Sequence, residues 1–156
     1  MKLFHVHAKS TVDVRLPETA LKKLPKRLGI VTTIQHLHKI DDVVEQTKGV
    51  LAGQVLGCNA SQAVKVNKNV DAFLFVGSGE FHPINVALKT GKKVWLWNPV
   101  SKNFGLLDEK LIDAIYSIVT SKTSDVKLRS AAAAAYGALD LPSRKVKDLI
   151  LDQAGS

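Results

Sequence analysis

The feature that most limits how this chain can fold is an alternation of short, almost entirely apolar segments with longer, more polar segments of helical periodicity. The apolar segments are residues 28–34, 53–57, 71–77 and 92–97. The alternation repeats about every twenty residues, which indicates parallel β-α-β units. Strands without polar alternation are covered on both faces. The chain is therefore predicted to be an α/β protein, a three-layer Rossmann-like domain with a mainly parallel sheet of four or five strands, plus C-terminal helices.

Helix boundaries can be predicted from the same pattern. Residues 36–49 carry an apolar stripe at helical spacing, and Gly49 is expected to end that helix. A short helix is expected over residues 60–66. The next helix should have Pro83 in its first turn and Gly91 at its C-terminal stop, the positions these two residue types favour.

The domain organisation predicted for residues 1–156 is a single domain. Its α/β core covers residues 28–120 and ends in a helix that begins near Asp108. Residues 1–27 form an N-terminal strand, at 3–8, and a linker that holds a short helix between two prolines. Residues 121–156 form a helical appendage of two helices, about 125–136 and 143–153.

Composition limits the compartment and the partners. A single cysteine excludes an internal disulfide and points to the reducing cytoplasm, and no apolar run reaches the length of about 18 residues that spans a membrane. The N-terminus does not have the pattern of a signal peptide. The net charge is +8, but the lysines are scattered along the chain and aromatic residues are only 6%. We therefore disfavour nucleic acid as a partner.

Ligands of such sheets bind where strands end and helices begin, and three of these turns carry unusual residues. The first is "TTIQHLH" with Gln35 and His36, the second surrounds Cys58, and the third is "VGSGEFHP" at 76–83. In the third turn, the two glycines allow positive φ and close approach of a ligand, and the following helix N-terminus can receive an anion. The alternative is a tight turn that needs glycine for geometry alone. Neither a dinucleotide fingerprint nor a Walker motif is complete here.

The histidines and the cysteine each allow two interpretations. His36 and His38 cannot share a metal on a helix, so capping or partly buried roles are favoured over ligation. His82 either caps its helix or points into the ligand cleft. Cys58 is either a buried apolar residue or a thiolate stabilised by the helix that follows it.

Taken together, the motifs are similar to those of a known family. "GIVTTIQHLHKIDDV", "GQVLGCNASQA" and "VDAFLFVGSGEFHPINVALKTGKKV" occur in this order before the closing "NP". They resemble the middle domain of the archaeal diphthamide synthase family, which makes 2-(3-amino-3-carboxypropyl)histidine on translation elongation factor 2. The resemblance runs from about Leu28 to Pro99. "VHA" at 6–8 resembles the segment that closes the first domain of the family.

The resemblance implies specific cofactors and residues. Family members join three similar domains, each giving one cysteine to a single [4Fe–4S] cluster, and the cluster cleaves S-adenosylmethionine to a 3-amino-3-carboxypropyl radical. Cys58 matches the metal ligand of the middle domain. The residues that match the cofactor-binding turns are Gln35, His36, Gly77, Ser78, Gly79, Glu80, Phe81, His82 and Pro83.

One cysteine is too few for a cluster that needs three or four thiolates, so we predict no catalysis by an isolated monomer. The chain is expected to act as a homo-oligomer or beside a companion subunit, with elongation factor 2 as acceptor. Two alternatives remain open. The first is a ligand- or partner-binding module without iron–sulfur chemistry, and the second is a nucleic-acid or ribosome-associated protein.

Overall fold

A computed structural model describes residues 8–57 and 59–107, which belong to one compact unit ending at Leu107. The helices are α1 (Glu18–Leu21), α2 (Ile40–Thr47), α3 (Ser61–Val66) and α4 (Phe81–Thr90), with 3₁₀ turns at Leu37–Lys39 and Asn67–Asn69. The strands are β1 (Leu28–Thr32), β2 (Val50–Gln54), β3 (Ala72–Val76), β4 (Val94–Asn98) and β5 (Asn103–Leu106). The short helix between two prolines is confirmed as α1, and the four apolar segments each contain or overlap a strand.

The strands form one sheet in the order β2-β1-β3-β4-β5. The first four are parallel, and β5 pairs with β4 in the antiparallel direction. Every residue of β1 and β3 is buried, as expected for central strands covered on both faces. The predicted α/β class and mainly parallel sheet are therefore confirmed.

Side chains alternate across the sheet and divide the core between its two faces. One face joins Ile30, Leu74 and Trp97 to α1, α2 and the segment before α1. On the other face, α3 and α4 contact each other, and the ring of Phe75 stacks on His82 of α4 with centroids 6.0 Å apart. The described residues thus form the three layers that the sequence predicts.

The segment before α1 is held by side chains rather than by strand pairing. The side-chain amide of Gln46 makes two hydrogen bonds with the backbone of Leu16: it accepts the N–H at 2.9 Å and donates to the carbonyl at 2.7 Å. The indole N–H of Trp97 donates to the carbonyl of Val14 at 2.7 Å in a buried position. Lys39 Nζ donates to the carbonyls of Thr11 and Val12. These contacts fix the segment against the first face of the sheet.

The sequence placed β2 three residues too late, at 53–57 instead of Val50–Gln54. The apolar run extends over 50–56, so its composition does not reveal which part pairs with β1. Pairing is set by a bulge: Ile30 faces Leu51, but Val31 faces Gly53, and the φ of 116° at Gly53 is one that glycine accepts readily.

Two further boundaries differ from the prediction. Helix α2 ends before Gly49, but Lys48 and not Gly49 takes the left-handed conformation, with φ 55°. Position 49 requires glycine for another reason: a Cβ there would lie 2.9 Å from the carbonyl oxygen of Leu28. Strand β5 was not predicted, because it is only four residues long and contains a glycine. The stop of α4 at Gly91, with φ 66°, is confirmed.

Several predictions lie outside the described residues. They are the strand at 3–8 apart from Ala8, the position of Cys58, the helix that begins near Asp108 and the two C-terminal helices. In the described part of the chain, none of the helices has the length and apolar character needed to cross a bilayer.

Candidate functional site

The sheet order places a switch point between β1 and β3. The chain leaves β1 toward β2 on one side, and leaves β3 toward β4 on the other side. Ligand crevices of open α/β sheets lie outside the carboxyl ends of strands at such a point. Here the two strand ends are joined by the hydroxyl of Thr32, which is fully buried and donates to the carbonyl of Val76 at 2.7 Å.

Replacing this hydroxyl by a methyl group tests how much it holds the two strand ends together. We expect Thr32→Val to lower the free energy of unfolding by about 1 kcal/mol, because the carbonyl of Val76 loses its side-chain partner without a large change in volume. Urea denaturation of both proteins measures the difference. Thr32→Ser, which keeps the hydroxyl, should retain this hydrogen bond, and equal stability of Thr32→Val and wild type would contradict the assignment.

The turn after β2 is held by hydrogen bonds between the residues on either side of position 58. Leu56 and Asn59 exchange two backbone hydrogen bonds, of 2.9 and 3.1 Å. The N–H of Val55 donates to the carbonyl of Thr32 at 2.9 Å, so this turn lies beside the end of β1. The side chain of Asn59 accepts the N–H of Ser61 and leads into α3. Cys58 itself lies outside the described residues, but the backbone on either side of it is fixed.

The glycine-rich turn after β3 contacts the turn after β2 directly. Gly57 is buried beneath the ring of Phe81, and a Cβ at this position would lie 1.7 Å from Phe81 Cε1. Asn85, one helical turn further on, is fully buried and its Nδ2 donates to the carbonyl of Leu56 at 3.5 Å. The three predicted turns therefore lie side by side at the carboxyl edge of the sheet.

The two glycines of the turn have different roles. Gly79 has φ 78°, in the region that favours glycine, and no heavy atom of the described residues lies within 4 Å of a Cβ built there. It borders open space. Gly77 does not have positive φ; a Cβ there would lie 2.8 Å from Cζ of the buried Phe75. Gly77 is thus needed for packing, and the close approach predicted at this position is to the protein's own ring.

The first turn of α4 offers only a modest anion site. A helix leaves its first N–H groups without carbonyl partners, and here Phe81 and His82 provide two of them. Pro83 has no N–H, and the exposed carboxylate of Glu80 stands at the N-cap position. The negative charge of Glu80 opposes an anion and favours a positively charged group nearby.

His82 is half-buried between two rings. It stacks on Phe75 and meets Phe81 edge to face, with centroids 6.0 Å apart in both cases. Burial lowers its pKa below the ordinary value, so the imidazole is neutral near pH 7. Glu80 rather than His82 takes the N-cap position. Of the two roles predicted for His82, capping is therefore excluded.

Gln35 and His36 lie in the turn after β1, and the backbone of Gln35 contacts the N-terminal segment. The carbonyl of Gln35 accepts the N–H of Ser10 at 2.9 Å. His36 is 5% exposed, and its Nδ1 has no hydrogen-bond partner among the described residues. Its pKa is lowered, first by burial and then by the positive charges of His38 and Lys39. His36 is thus a neutral, buried histidine, one ring nitrogen of which has no partner in the described part of the chain.

A cavity of about 370 Å³ opens at the same edge of the sheet, between the glycine-rich turn and the β4–β5 hairpin. This volume is within the range of small-molecule sites. Its lining residues in the described part of the chain are Gly77, Gly79, Glu80, Leu96, Asn98, Ser101, Asn103, Phe104, Gly105 and Leu106. Three predicted site residues, Gly77, Gly79 and Glu80, belong to this lining. The other six do not: Gln35, His36, Ser78, Phe81, His82 and Pro83.

The hairpin and Asn85 were missed by the sequence analysis. The side chain of Asn98 accepts the N–H groups of Val100 and Ser101, and this Asn-Pro turn was the available signal for a hairpin. Asn85 interrupts the apolar face of α4, and its Oδ1 has no hydrogen-bond partner among the described residues. A buried amide in an apolar helix face is the signal that could have found it.

Within residues 8–57 and 59–107, no group of three His, Cys, Asp or Glu side chains could hold a metal ion. The fold and the site define a doubly wound α/β domain with a ligand cleft at the carboxyl edge of its sheet. A model of the family described as "Putative diphthamide synthesis protein" matches residues 1–127. The chain belongs to this family, and the resemblance seen in the motifs is confirmed.

Individual relatives agree with the family assignment. The chain is 37% identical over 102 residues to 2-(3-amino-3-carboxypropyl)histidine synthase of Pyrococcus horikoshii, covering 56% of this chain and 29% of the relative. It is 35% identical over 88 residues to the protein of the same name from Methanocaldococcus jannaschii, covering 56% of this chain and 22% of that relative. The chain therefore spans less than a third of each of these curated relatives.

Solved structures agree on the fold as well. A crystal structure of Dph2 from Pyrococcus horikoshii matches with a TM-score of 0.59 and 32% identity over 71% of this chain and 38% of that one. A crystal structure of the same protein with a 4Fe-4S cluster matches with a TM-score of 0.57 and 33% identity, over 65% and 34%.

Proposed function

We propose that this chain is one component of an assembly that transfers a 3-amino-3-carboxypropyl group from S-adenosylmethionine to a histidine of translation elongation factor 2. Family membership supports the biosynthetic role. The structural observation that supports the proposed chemistry is the contact of Phe81 with Gly57. This contact places the turn that contains Cys58 beside the glycine-rich turn.

The chain does not fit a complete [4Fe–4S] cluster by itself. It contains one cysteine, and no three-ligand metal group occurs among its described residues. Cysteine-ligated clusters of this type use three or four thiolates. We therefore assign Cys58 the part of a single ligand, and infer that the other thiolates come from further copies of this chain or from a companion subunit.

The cleft offers complementary groups for S-adenosylmethionine. This molecule carries a positive sulfonium and an ammonium group, and the Glu80 carboxylate lines the cavity with no basic side chain in the described lining to neutralise it. Asn98, Ser101 and Asn103 add amide and hydroxyl groups, and Phe104 adds an apolar surface. The proposed binding residues of the glycine-rich turn are 77–83, with Gln35 and His36 in the adjacent turn.

A direct test is anaerobic reconstitution of the full chain with iron and sulfide, beside Cys58→Ala. We expect wild type to incorporate iron in an assembled species, with a broad visible absorption and an EPR signal on reduction, and the variant to contain none. Mass measurement of the iron-bound species shows whether it contains several copies. Cys58→Ser controls for volume and should bind weakly or not at all. Equal iron content in wild type and Cys58→Ala would contradict the role of the thiolate.

A second candidate function is a ligand- or partner-binding module without redox chemistry. The specific observation in its favour is the single cysteine. This candidate predicts colourless wild-type protein that still binds S-adenosylmethionine in calorimetry, and Glu80→Gln should weaken that binding. The two functions are thus separated by iron content and not by ligand affinity.

A further inference from the structure

The net positive charge of this chain comes from one part of the sequence. Residues 1–107 hold fifteen of the 22 Lys and Arg residues and seven of the fourteen Asp and Glu residues, which is the entire net charge of +8. Residues 108–156 hold seven of each and are balanced. The excess charge therefore belongs to the α/β unit.

The fold gathers bases that are scattered in the sequence. Lys26 and Arg27 directly precede β1, Lys48 precedes β2, Lys68 lies in the 3₁₀ turn before β3, and Lys93 precedes β4. The four parallel strands are neighbours in the sheet, so these residues line its amino edge, opposite the cleft. We call these five residues the basic edge. Strands lie about 4.8 Å apart, so the basic edge extends over roughly 14 Å.

Hydrogen bonds connect the segments that carry Arg27, Lys68 and Lys93 to the start of β3 or to each other. The N–H of Asp71 donates to the carbonyl of Arg27 at 2.7 Å, and the N–H of Phe73 donates to the carbonyl of Lys93 at 2.9 Å. The guanidinium of Arg27 donates to the carbonyls of Lys68 and Asn69. Arg27 thus connects the segments before β1 and β3.

All five side chains of the basic edge are exposed. Those of Lys26, Lys48 and Lys68 make no hydrogen bond or ion pair with any part of the chain that the structure describes. Among the described residues, the acids nearby are Asp71, whose Oδ1 lies 3.6 Å from Arg27 Nη1, and Glu45 in the last turn of α2. In this part of the chain, bases therefore outnumber acids at the edge.

The helix dipole explains only part of this arrangement. Lysines at the end of a helix are favoured by its negative end, and of the basic edge Lys48 has such a position, as the C-cap of α2. Lys26 follows no helix directly. Folding does not require the charge of Lys26 at this edge, because an exposed unpaired lysine adds little stability.

We propose that the basic edge binds the phosphate backbone of nucleic acid, independently of base sequence. Lysine ammonium groups neutralise phosphates as point charges, and a row of them at strand spacing matches an extended polyanion. The lysines are scattered along the chain, which disfavoured nucleic acid in the prediction, but the strand order brings five bases to one edge. The proposal does not depend on the proposed function, since the cleft lies at the opposite edge of the sheet.

An acidic protein surface fits these observations less well. Protein interfaces have an apolar, desolvated centre. Among the described residues, the exposed large apolar side chains Leu56, Phe81 and Leu106 lie near the cleft, whereas Val50 and Leu51 begin β2, the outermost strand. This apolar pair lies at one end of the basic edge and not between its bases, so the centre of the edge carries charge alone, which is typical of phosphate binding.

The test measures binding of fluorescein-labelled single-stranded RNA and DNA oligonucleotides of the same sequence by anisotropy, over a series of salt concentrations. The full chain is compared with the variant Lys26→Gln/Lys48→Gln/Lys68→Gln. A matched control, Lys122→Gln/Lys127→Gln/Lys147→Gln, removes the same charge from outside the α/β unit. Circular dichroism checks that all three proteins are folded.

We expect wild type to bind both oligonucleotides with a steep salt dependence. The basic-edge variant should bind more than about tenfold more weakly, with a log–log salt slope shallower by about 2, since single strands lose about 0.7 per phosphate contact. The control should bind like wild type. Equal losses of affinity in both variants would show that binding depends only on net charge, and would overturn the proposal. Binding of poly-glutamate as tightly as the oligonucleotides at the same salt concentration would overturn it as well.

Discussion

Trp97→Ala is expected to lower the free energy of unfolding by about 3–5 kcal/mol, a large part of the stability of a unit of this size. Trp97 is 1% exposed and packs in the core on the face of the sheet that carries α1 and α2. Removing it leaves a cavity and also leaves the carbonyl of Val14 without the indole N–H that it accepts at 2.7 Å. Urea denaturation followed by far-UV circular dichroism measures the loss.

Two controls separate the causes. Trp97→Phe removes the hydrogen bond but keeps an aromatic ring and most of the volume, so it should cost about 1–3 kcal/mol. Trp95→Ala removes a tryptophan of the same strand that is only half-buried and stacks on Phe104 at 5.2 Å. Its cost should be less than half that of Trp97→Ala. Equal costs at the two positions would show that the buried contact with the N-terminal segment contributes nothing.

Much of the fold could be predicted from the sequence because its strongest signals are local. The fully apolar segments became β1 and β3, the two central strands, since no other environment buries every side chain of a strand. Pro83 and Gly91 marked α4 because each has a narrow range of favourable backbone positions. Where an element depends on its neighbours instead, the prediction failed.

Strand β2 and the β4–β5 hairpin show why the prediction failed at these elements. The position of β2 depends on a bulge opposite Ile30 and Val31, and that pairing involves residues about twenty positions apart. Strand β5 exists because β4 offers it hydrogen-bonding partners, such as Trp97 for Phe104, and its own four residues have little strand character. The cleft wall formed by the hairpin could not be foreseen for the same reason.

The candidate site was predictable in outline but not in detail. The carboxyl edge of the sheet and the meeting of three turns follow from topology alone. Which residues border the cavity depends on packing that the sequence does not show. A side chain at Gly77 would collide with the ring of Phe75. The backbone carbonyl of Gln35 is hydrogen-bonded to the N-terminal segment. The role of Cys58 remains a prediction that the reconstitution experiment decides.

Gly57→Ala should show how closely the two turns depend on each other. The added methyl group would lie 1.7 Å from Phe81 Cε1 and 2.3 Å from Cδ1, so the ring must move. Phe81 is 52% exposed and can turn outward, so we expect a moderate loss of about 1–3 kcal/mol in the free energy of unfolding. Because Gly57 directly precedes Cys58, iron incorporation should fall sharply as well.

A double-mutant cycle separates this contact from a general effect of alanine. In Gly57→Ala/Phe81→Ala the clash is absent, so the two changes should be non-additive and the double variant should recover much of the stability lost in Gly57→Ala. Gly105→Ala is the matched control, because no heavy atom of the described residues lies within 4 Å of a Cβ at that position. Additive losses in the cycle would mean that the ring of Phe81 does not rest on Gly57, and the turn containing Cys58 would then be independent of the glycine-rich turn.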